Sequence, residues 1–438
     1  MKHLSFISCA FFCTIAFASC HKDEDEPQWN IGPFDEQKEE TYVDLIPEKK
    51  PIQLTAEQKS YAEACNDFSF DLFRQSNNET KSRILSPLSV AYVLGMLNDG
   101  AEGETADQIM NALGFKEADK TAVNEFCRKL IEEAPKADPN VQLNIANALF
   151  VNQGINLLET YKKDLDEYYH ATAQSLNFGS PEAVNVINGW CSKQTEGMIN
   201  KILDKTEPDI LLCLLNAIYF KATWTDRFNP DNAKATAFEN EDGSTVTKQM
   251  MNQKVRTMLF SPSLPSTDAQ EQTDQEYNFG ALCLPYSSGA FCMYILLPKE
   301  GTTTAEVINS LTAESFANMK KQMRSRLVDV RIPRFTTKFD IDLIPQLKQL
   351  GIADAFSGKA QFPYITGQNI YVSKMKQSAA IEVNEEGTKA AAVTVAEMKV
   401  TSAGEDTLVP FWTIRPFVYV IQETTSGAIL FVGTYMGD

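Results

Sequence analysis

The stretch EEGTKAAAVTVAEMKVTSAGED, from Glu385 to Asp406, decides how the rest of the chain is interpreted. Every second residue after Gly387 is small and uncharged, in the set Thr388, Ala390, Ala392, Thr394 and Ala396. In a strand this set would form one face without bulk, while the alternate face carries Lys389 and Glu397. A strand with such a face suits a tight space above other elements.

Neither regular structure suits this stretch fully. A helix is favoured by the alanines, but Val393, Thr394 and Val395 form a β-branched run that weakens it. A strand is disfavoured because alanine is a poor strand former. Gly387 gives freedom at the start, and the polar TSAGED end is typical of a protease-sensitive tip. The pattern predicts a conditional strand; the alternative is an ordinary alanine-rich surface loop.

The composition excludes some classes of function. The chain has 438 residues, of which 43% are hydrophobic, and a formal net charge of -18. Such an acidic chain is not expected to bind nucleic acid, because phosphate contacts need a basic surface. Helical patterns come early, strands come late and no βαβ repeat occurs, which predicts an α+β fold in one large domain.

The first residues are typical of an exported lipoprotein. Lys2 precedes the apolar run FISCAFFCTIAFA, and FASC ends at Cys20 like a lipoprotein cleavage box. We expect a signal peptide over 1–19, a lipidated Cys20 that holds the chain at the outer membrane, an acidic tether over 20–58 and the main domain over 59–438. HKDEDEP after Cys20 resembles a surface-export signal or is a solvated charge run, so the extracellular and periplasmic faces both stay open.

Six cysteines follow Cys20, without any C-x-x-C spacing. Most of them sit in apolar runs, which favours buried free thiols, although export permits disulfides. Cys283 and Cys292 flank an expected hairpin turn and are the one pair that we would test. The polar segment near 261–276 is expected to be a loop, either a tolerated insertion or a contact for a partner.

Enzyme motifs are missing from the sequence. The three histidines are His3, His21 and His170, and no nucleophile motif accompanies His170. No P-loop, dinucleotide fingerprint or clustered metal ligands occur, so we expect no metal and no cofactor. A pair of carboxylates with glycosidase chemistry stays possible, but nothing singles one out. Function is therefore expected to lie in binding or conformational change.

VNEEGTKAAAVT (Val383–Thr394) resembles the hinge of the serpins, a family of loop-inserting protease inhibitors. The resemblance extends from about residue 62 to 435 through further blocks in the family's order. These blocks include NDFSFDLF (Asn66–Phe73), ILSPLSVAYVLGML (Ile84–Leu97), LNAIYFKATW (Leu215–Trp224), LPY (Leu284–Tyr286), IPRF (Ile332–Phe335) and PFVYVI (Pro416–Ile421).

The resemblance implies an α+β fold with three sheets, eight or nine helices and an exposed reactive-centre loop over about 385–408. A target protease would cut this loop, form an acyl-enzyme and be trapped as the loop enters the main sheet. The loop length usual in the family implies a cut at Thr401-Ser402, with Lys399 and Val400 as alternatives. Cuts after Val400 or Thr401 suit elastase- or subtilisin-like proteases, and a cut after Lys399 suits trypsin-like ones; cysteine proteases are further candidates.

The resemblance also assigns two groups of residues. The hinge comprises Glu385, Glu386, Gly387, Thr388, Ala390, Ala392 and Thr394. The shutter, beneath the opening sheet, comprises Ser86, Ser89, Asn216 and Gln377. Gln377 departs from the family's usual histidine, and glutamine does not titrate, so we expect little pH dependence from this site.

Three functions are compatible with these features of the sequence. The first is a monomeric, lipid-anchored suicide inhibitor of serine proteases. The second is a non-inhibitory serpin that acts as a binding protein. The third, a glycan-binding or hydrolytic surface lipoprotein, is suggested by the anchor alone.

Overall fold

The computed structural model describes residues 47–76, 80–116, 118–262, 276–388 and 407–438, which all belong to one unit, Ile46–Asp438. These residues form a mixed α+β fold. The helices are α1 (Ala56–Gln75), α2 (Pro87–Asp99), α3 (Gly103–Leu113), α4 (Lys120–Glu133), α5 (Glu159–Tyr169), α6 (Glu182–Gln194), α7 (Thr304–Ser310), α8 (Ala313–Gln322) and α9 (Ile344–Gln349). The strands are β1 (Arg83–Leu85), β2 (Gln142–Asn152), β3 (Thr172–Leu176), β4 (Leu212–Thr223), β5 (Lys234–Glu239), β6 (Thr245–Phe260), β7 (Phe279–Tyr286), β8 (Phe291–Pro298), β9 (Arg324–Pro333), β10 (Phe335–Asp342), β11 (Val372–Asn384), β12 (Gly387–Thr388), β13 (Val409–Trp412), β14 (Phe417–Glu423) and β15 (Ile429–Tyr435).

The apolar run LCLLNAIYFKAT becomes β4, a central strand of a six-stranded sheet with the order β10-β11-β12-β4-β2-β3. Strand β4 is antiparallel to β2 and parallel to β11. Nearly every residue of β4 is buried, which explains why its sequence is a continuous apolar run rather than an alternating one.

The other nine strands form one hydrogen-bonded network, in the order β1-β15-β14-β8-β7-β6-β9-β13, with β5 on β6. Strand β6 pairs with β9 from Met250 to Leu259, but with β7 only at Leu259 and Phe260. The network therefore consists of two parts that meet at one short pairing. Together with the six-stranded sheet, these parts correspond to the three expected sheets.

Helix α2 is the buried element between the sheets. All of its residues from Pro87 to Asn98 are buried, and it packs on both β4 and β15. A helix that is apolar on all sides needs such a position. The α+β class is confirmed, and the described residues contain nine α-helices.

The cysteines behave as two groups. Cys283 on β7 and Cys292 on β8 form a disulfide, which is the pair singled out from the sequence. Cys65, Cys127, Cys191 and Cys213 are free and buried. Burial raises the pKa of the Cys127, Cys191 and Cys213 thiols to about 12 and that of Cys65 well above its ordinary value. These thiols are therefore protonated at neutral pH.

The segment before α1 packs on the fold from residue 47 onward. The Lys50 amide donates to the Ala137 carbonyl at 2.8 Å, and the Ile52 amide donates to Thr425 Oγ1 at 2.9 Å. Ile52 is only 4% exposed. The part of the expected tether from 47 to 58 is thus structured.

The signal peptide, Cys20 and the rest of the tether lie outside the described residues. Within the described part of the chain, none of the helices has the length and apolarity needed to span a bilayer. Strand β6 ends at Phe260 and β7 begins at Phe279, but residues 263–275 of the expected loop between them are also outside the described part.

Candidate functional site

The six-stranded sheet divides along the boundary between β11 and β4. At the lower end these strands pair directly and in parallel, from Val372 with Leu212 up to Ser378 with Ala217. At the upper end β12 lies between them, because Thr388 pairs with both Val383 and Ala222. Two residues of the predicted hinge are therefore already in the sheet as an antiparallel strand.

Gly387 is required where the chain re-enters the sheet. Its φ is +150°, in a region that side-chain-bearing residues avoid. A Cβ atom at this position would lie 2.0 Å from the Ala222 carbonyl oxygen. The hinge glycine is thus needed for a close backbone approach, in addition to any freedom to swing.

Thr388 occupies a buried position with a polar partner. It is fully buried, and its Oγ1 lies 2.7 Å from the hydroxyl of Tyr286. The Tyr286 ring stacks on Trp224 at 4.4 Å, and Trp224 Nε1 donates to the Asn384 carbonyl at 2.9 Å. Burial raises the pKa of Tyr286 far above its ordinary value, so its hydroxyl stays neutral.

Glu385 and Glu386 form the turn that precedes β12. The Phe228 amide donates to the Glu385 carbonyl at 2.9 Å, and the Trp224 amide donates to the Glu386 carbonyl at 2.8 Å. The Glu385 side chain is almost buried and pairs with Arg334 at 2.5 Å. The Arg334 side chain is 43% exposed, so only the carboxylate of this charge-assisted hydrogen bond is buried.

The shutter residues meet below β12 in an uncharged network. The Ser86 amide donates to Gln377 Oε1, and Gln377 Nε2 donates to the Ser86 carbonyl and to Asn216 Oδ1, each at 2.9 Å. Asn216 Nδ2 donates to Asn147 Oδ1 at 2.9 Å. The side chains in this network are fully or almost fully buried, namely those of Ser86, Gln377, Asn216 and Asn147. The network therefore links α2 to strands β11, β4 and β2.

Ser86 and Ser89 have a different role from that expected of a helix cap. Ser86 stands at the N-cap position of α2, but its side chain makes no capping hydrogen bond. Its hydroxyl instead lies 2.8 Å from the Ser89 hydroxyl. Although serine is a preferred N-cap residue, Ser86 does not cap α2 through its side chain, because its hydroxyl binds Ser89 while its backbone amide binds Gln377.

The catalytic alternatives gain no support from this part of the chain. His170 is half exposed, and its Nε2 lies 3.3 Å from Glu132 Oε1 on the surface. Among the described residues no group of three or more histidine, cysteine or acidic side chains is arranged to hold a metal ion.

The structure describes part of the predicted site. Glu385 to Thr388 lie where the chain enters the six-stranded sheet, and Ser86, Ser89, Asn216 and Gln377 lie together below β12. Ala390, Ala392, Thr394 and Lys399 to Ser402 lie outside the described residues. Sequence reasoning missed four contributors: Asn147, Trp224, Tyr286 and Arg334. Trp224 and Tyr286 end two of the blocks that resemble the family, which was the available signal.

Comparison with known proteins agrees with this geometry. The family model described as Serpin (serine protease inhibitor) matches residues 63–437. Serine protease inhibitor A6 of Xenopus laevis is 30% identical, over 88% of this chain and 85% of its own length. The thermophilic serpin tengpin in its native state has a TM-score of 0.78 and 26% identity, over 90% of this chain and 99% of its own. Thyroxine-binding globulin in complex with thyroxine has a TM-score of 0.75 and 26% identity, over 86% and 99%.

The chain belongs to the serpin family. The family model describes serine protease inhibitors, and the relatives named as inhibitors support serine protease inhibition in general.

Gly387→Ala should displace β12 from its position between β11 and β4. The added methyl meets the Ala222 carbonyl, and such overpacking costs on the order of 1–3 kcal/mol. Trp224 should then lose its packing on Tyr286, so its fluorescence emission should shift to longer wavelength, with a lower urea midpoint. Gly301→Ala is the matched control, since Gly301 also has a positive φ (+79°) but open space around it. If Gly387→Ala had the fluorescence emission and stability of the wild type, the close approach of residue 387 to Ala222 would be contradicted.

Gln377→His should create a pH-dependent stability that the wild type lacks at this site. Burial disfavours the charged imidazole, so its folded-state pKa should fall below the unfolded value of about 6.5. Stability is then complete above about pH 6.5 and is lost as pH falls toward the folded-state pKa. Thermal unfolding of both proteins between pH 5 and 8 measures the difference in stability. Titratable groups that both proteins share do not contribute to this difference. Parallel curves would contradict the burial of this position.

Proposed function

We propose that this chain, as a monomer, inhibits serine proteases by suicide-substrate trapping. The protease would cut the loop, remain attached as an acyl-enzyme, and be displaced as the loop enters the sheet between β11 and β4. Insertion of a cut loop as a new strand is the recognised mode of strand addition in this family. The observation that carries the proposal is β12, the first two residues of that strand, paired on both sides.

The register of β12 defines where each loop residue would go. Thr388 is level with Val383 and Ala222, and each further loop residue advances one position on both flanks. Ala390 would therefore reach the level of Ile381 and Phe220. The direct pairing between β11 and β4 ends at Ser378 and Ala217, so insertion from residue 393 onward has to separate that pairing.

The two faces of the inserted strand would meet different surroundings. Ile381 and Phe220, level with Ala390, belong to the main apolar core. Glu382 and Lys221, level with Lys389, are exposed and half-buried. Because side chains alternate across a strand, even-numbered loop residues face the core, where only small uncharged side chains fit. Thr388, Ala390, Ala392 and Thr394 meet that requirement.

The shutter would be the barrier to further insertion. In the same register Thr394 arrives at the level of Gln377 and Asn216, which are joined at 2.9 Å. Insertion must break this bond before the two new antiparallel ladders are complete. Each added backbone hydrogen bond contributes about 1 kcal/mol, so a ten-residue strand gains on the order of 10 kcal/mol. That gain is comparable to the stability of a whole domain, so the uncut state is held kinetically.

The residues next to the cut bond would determine which proteases are targets. We assign the cut to Thr401-Ser402, with Lys399 and Val400 as alternative residues before the bond. Small or aliphatic residues suit elastase- and subtilisin-like pockets, and Lys399 suits trypsin-like ones; papain-like cysteine proteases are further candidates.

We also propose that Cys20 carries lipid after removal of residues 1–19 and holds the inhibitor at the outer membrane, exposed at the cell surface. The support is the apolar leader followed by FASC. Labelling with radioactive palmitate in the native host tests it: a label retained by Cys20→Ser excludes this attachment site.

Incubation with pancreatic elastase, subtilisin, trypsin and papain tests the inhibitory function. At least one serine protease should give a band that survives boiling in SDS, and N-terminal sequencing of the released fragment fixes the cut bond. Cleavage by all four without a stable complex would favour the second candidate, a binding serpin. The likeness to thyroxine-binding globulin is the observation behind that candidate.

Ala390→Glu and Lys389→Glu form a matched pair within this test. Ala390→Glu would bury a charge beside Ile381 and Phe220, so insertion should stall and the protease should escape. The stoichiometry of inhibition should rise at least tenfold. Lys389→Glu places the same side chain on the outer face and should remain an inhibitor. Equal behaviour of the two variants would contradict the register.

A further inference from the structure

The Cys283–Cys292 disulfide lies on the hairpin that supports the loop entrance, and none of the steps proposed above uses it. Cys283 is on β7 and Cys292 is on β8, nine positions further along the chain. Strand pairing sets Pro285 against Cys292, and Tyr286 is the next residue on β7. The disulfide therefore closes the end of the hairpin that carries Tyr286, whose hydroxyl contacts Thr388.

Within the described residues, the end of β7 after Leu282 is paired with a single strand. All eight residues of β7 pair with β8, but only Ala281 and Leu282 pair with β6. Beyond that short pairing, Thr257 Oγ1 on β6 donates to the Cys283 carbonyl. The Tyr286 end of β7 therefore depends mainly on β8 for its position, and the disulfide makes this link covalent.

The same end of the hairpin contacts the six-stranded sheet just after β4. The Thr225 amide donates to the Pro285 carbonyl at 2.9 Å. The neighbouring Trp224 ring stacks on Tyr286 at 4.4 Å. A shift of the hairpin would therefore move the Trp224–Tyr286 pair, and with it the hydroxyl that contacts Thr388.

The two sulfur-bearing residues differ in their access to solvent. Cys283 is half-buried, whereas Cys292 is only 1% exposed. The thiolate of a small thiol would therefore attack the Cys283 sulfur, and the Cys292 sulfur would leave and take up a proton. A second thiol then attacks the mixed disulfide, so that Cys283 leaves as a thiol and the two small thiols leave as their own disulfide. Two electrons pass to the protein in this exchange.

Reduction would change a single bond in the described part of the chain. The other four cysteines there are free and buried, and burial raises the pKa of each thiol above its ordinary value; they are Cys65, Cys127, Cys191 and Cys213. They have no disulfide to lose and are protonated at neutral pH. The effect of a reductant on this part of the protein can therefore be assigned to Cys283 and Cys292.

We propose that the Cys283–Cys292 disulfide is a redox-sensitive clamp that fixes Tyr286 against Thr388 and so keeps the first inserted residue in place. This inference rests on the proposed inhibitory function. In the oxidised protein the cut loop inserts from Thr388 without delay. In the reduced protein Tyr286 holds Thr388 less firmly, so insertion starts later and more of the acyl-enzyme is hydrolysed before the protease is trapped. The cut itself depends on Lys399 to Ser402 and is unaffected.

The test compares oxidised wild type with wild type that has been reduced by dithiothreitol. The reductant is removed by gel filtration before the protease is added, so disulfides of the protease stay intact. The protease is whichever of the panel above forms the SDS-stable complex fastest with oxidised wild type. On reduction the ratio of cleaved to complexed inhibitor should rise about fivefold, the scale on which one hydrogen bond changes a rate, while the rate of loop cleavage stays the same. Alkylation and mass measurement check that both thiols are free.

Cys283→Ser/Cys292→Ser is the matched control variant, because it lacks the disulfide but keeps the four buried thiols. It should show the raised ratio without any treatment and should not respond to dithiothreitol. A response of this variant equal to that of the wild type would place the redox effect elsewhere and overturn the clamp.

Hydrogen exchange measures the clamp without any protease. The Trp224 and Thr225 amides donate to the Glu386 and Pro285 carbonyls, so both should exchange faster in the reduced protein, while amides around Asn216 keep their rates. Equal cleaved-to-complexed ratios in oxidised and reduced wild type, or equal exchange rates, overturn the clamp and leave the inhibitory function intact. Absence of any stable complex with oxidised wild type overturns the proposed function and this inference with it.

Discussion

Strands β11 and β4 have two competing partners, and the rest of the fold is organised around that competition. At their lower ends they pair with each other, and at their upper ends they pair with β12. In the proposed mechanism, the same backbone groups would have a second arrangement with more strand pairing. That arrangement would be reached only by breaking pairs that already exist, which would separate the two states by a barrier.

The barrier is built from amides and hydroxyls rather than charges. Gln377 joins β11 to α2 and to Asn216 on β4, and Asn216 continues to Asn147 on β2. Buried neutral groups of this kind need no counter-ion and do not titrate, so we expect the barrier of the proposed mechanism to be the same across the physiological pH range. The opposite end is fixed by charge, through the Glu385–Arg334 pair, where the chain turns into the sheet.

Two regions divide the work in the proposed mechanism. There, the even-numbered residues after Gly387 would determine whether the loop fits the core, and Lys399 to Ser402 would determine which protease cuts it. The seat made by Trp224, Tyr286 and Asn384 connects the first region to the core, because it holds Thr388 at the entrance of the sheet.

The sequence by itself determined the α+β class and the long buried β4, because both depend on local composition. It singled out Cys283 and Cys292 as the one pair to test, but only the tertiary structure joins them. It also pointed to Ser86, Asn216 and Gln377 through resemblance, but not to the bonds between them. Only the tertiary structure decided that Asn147 completes their network, that Arg334 pairs with Glu385, and that Gly387 is excluded from any larger residue by Ala222. These contacts and the Ser86–Gln377 bond join residues from 51 to 291 positions apart, and no local pattern encodes which distant strands become neighbours.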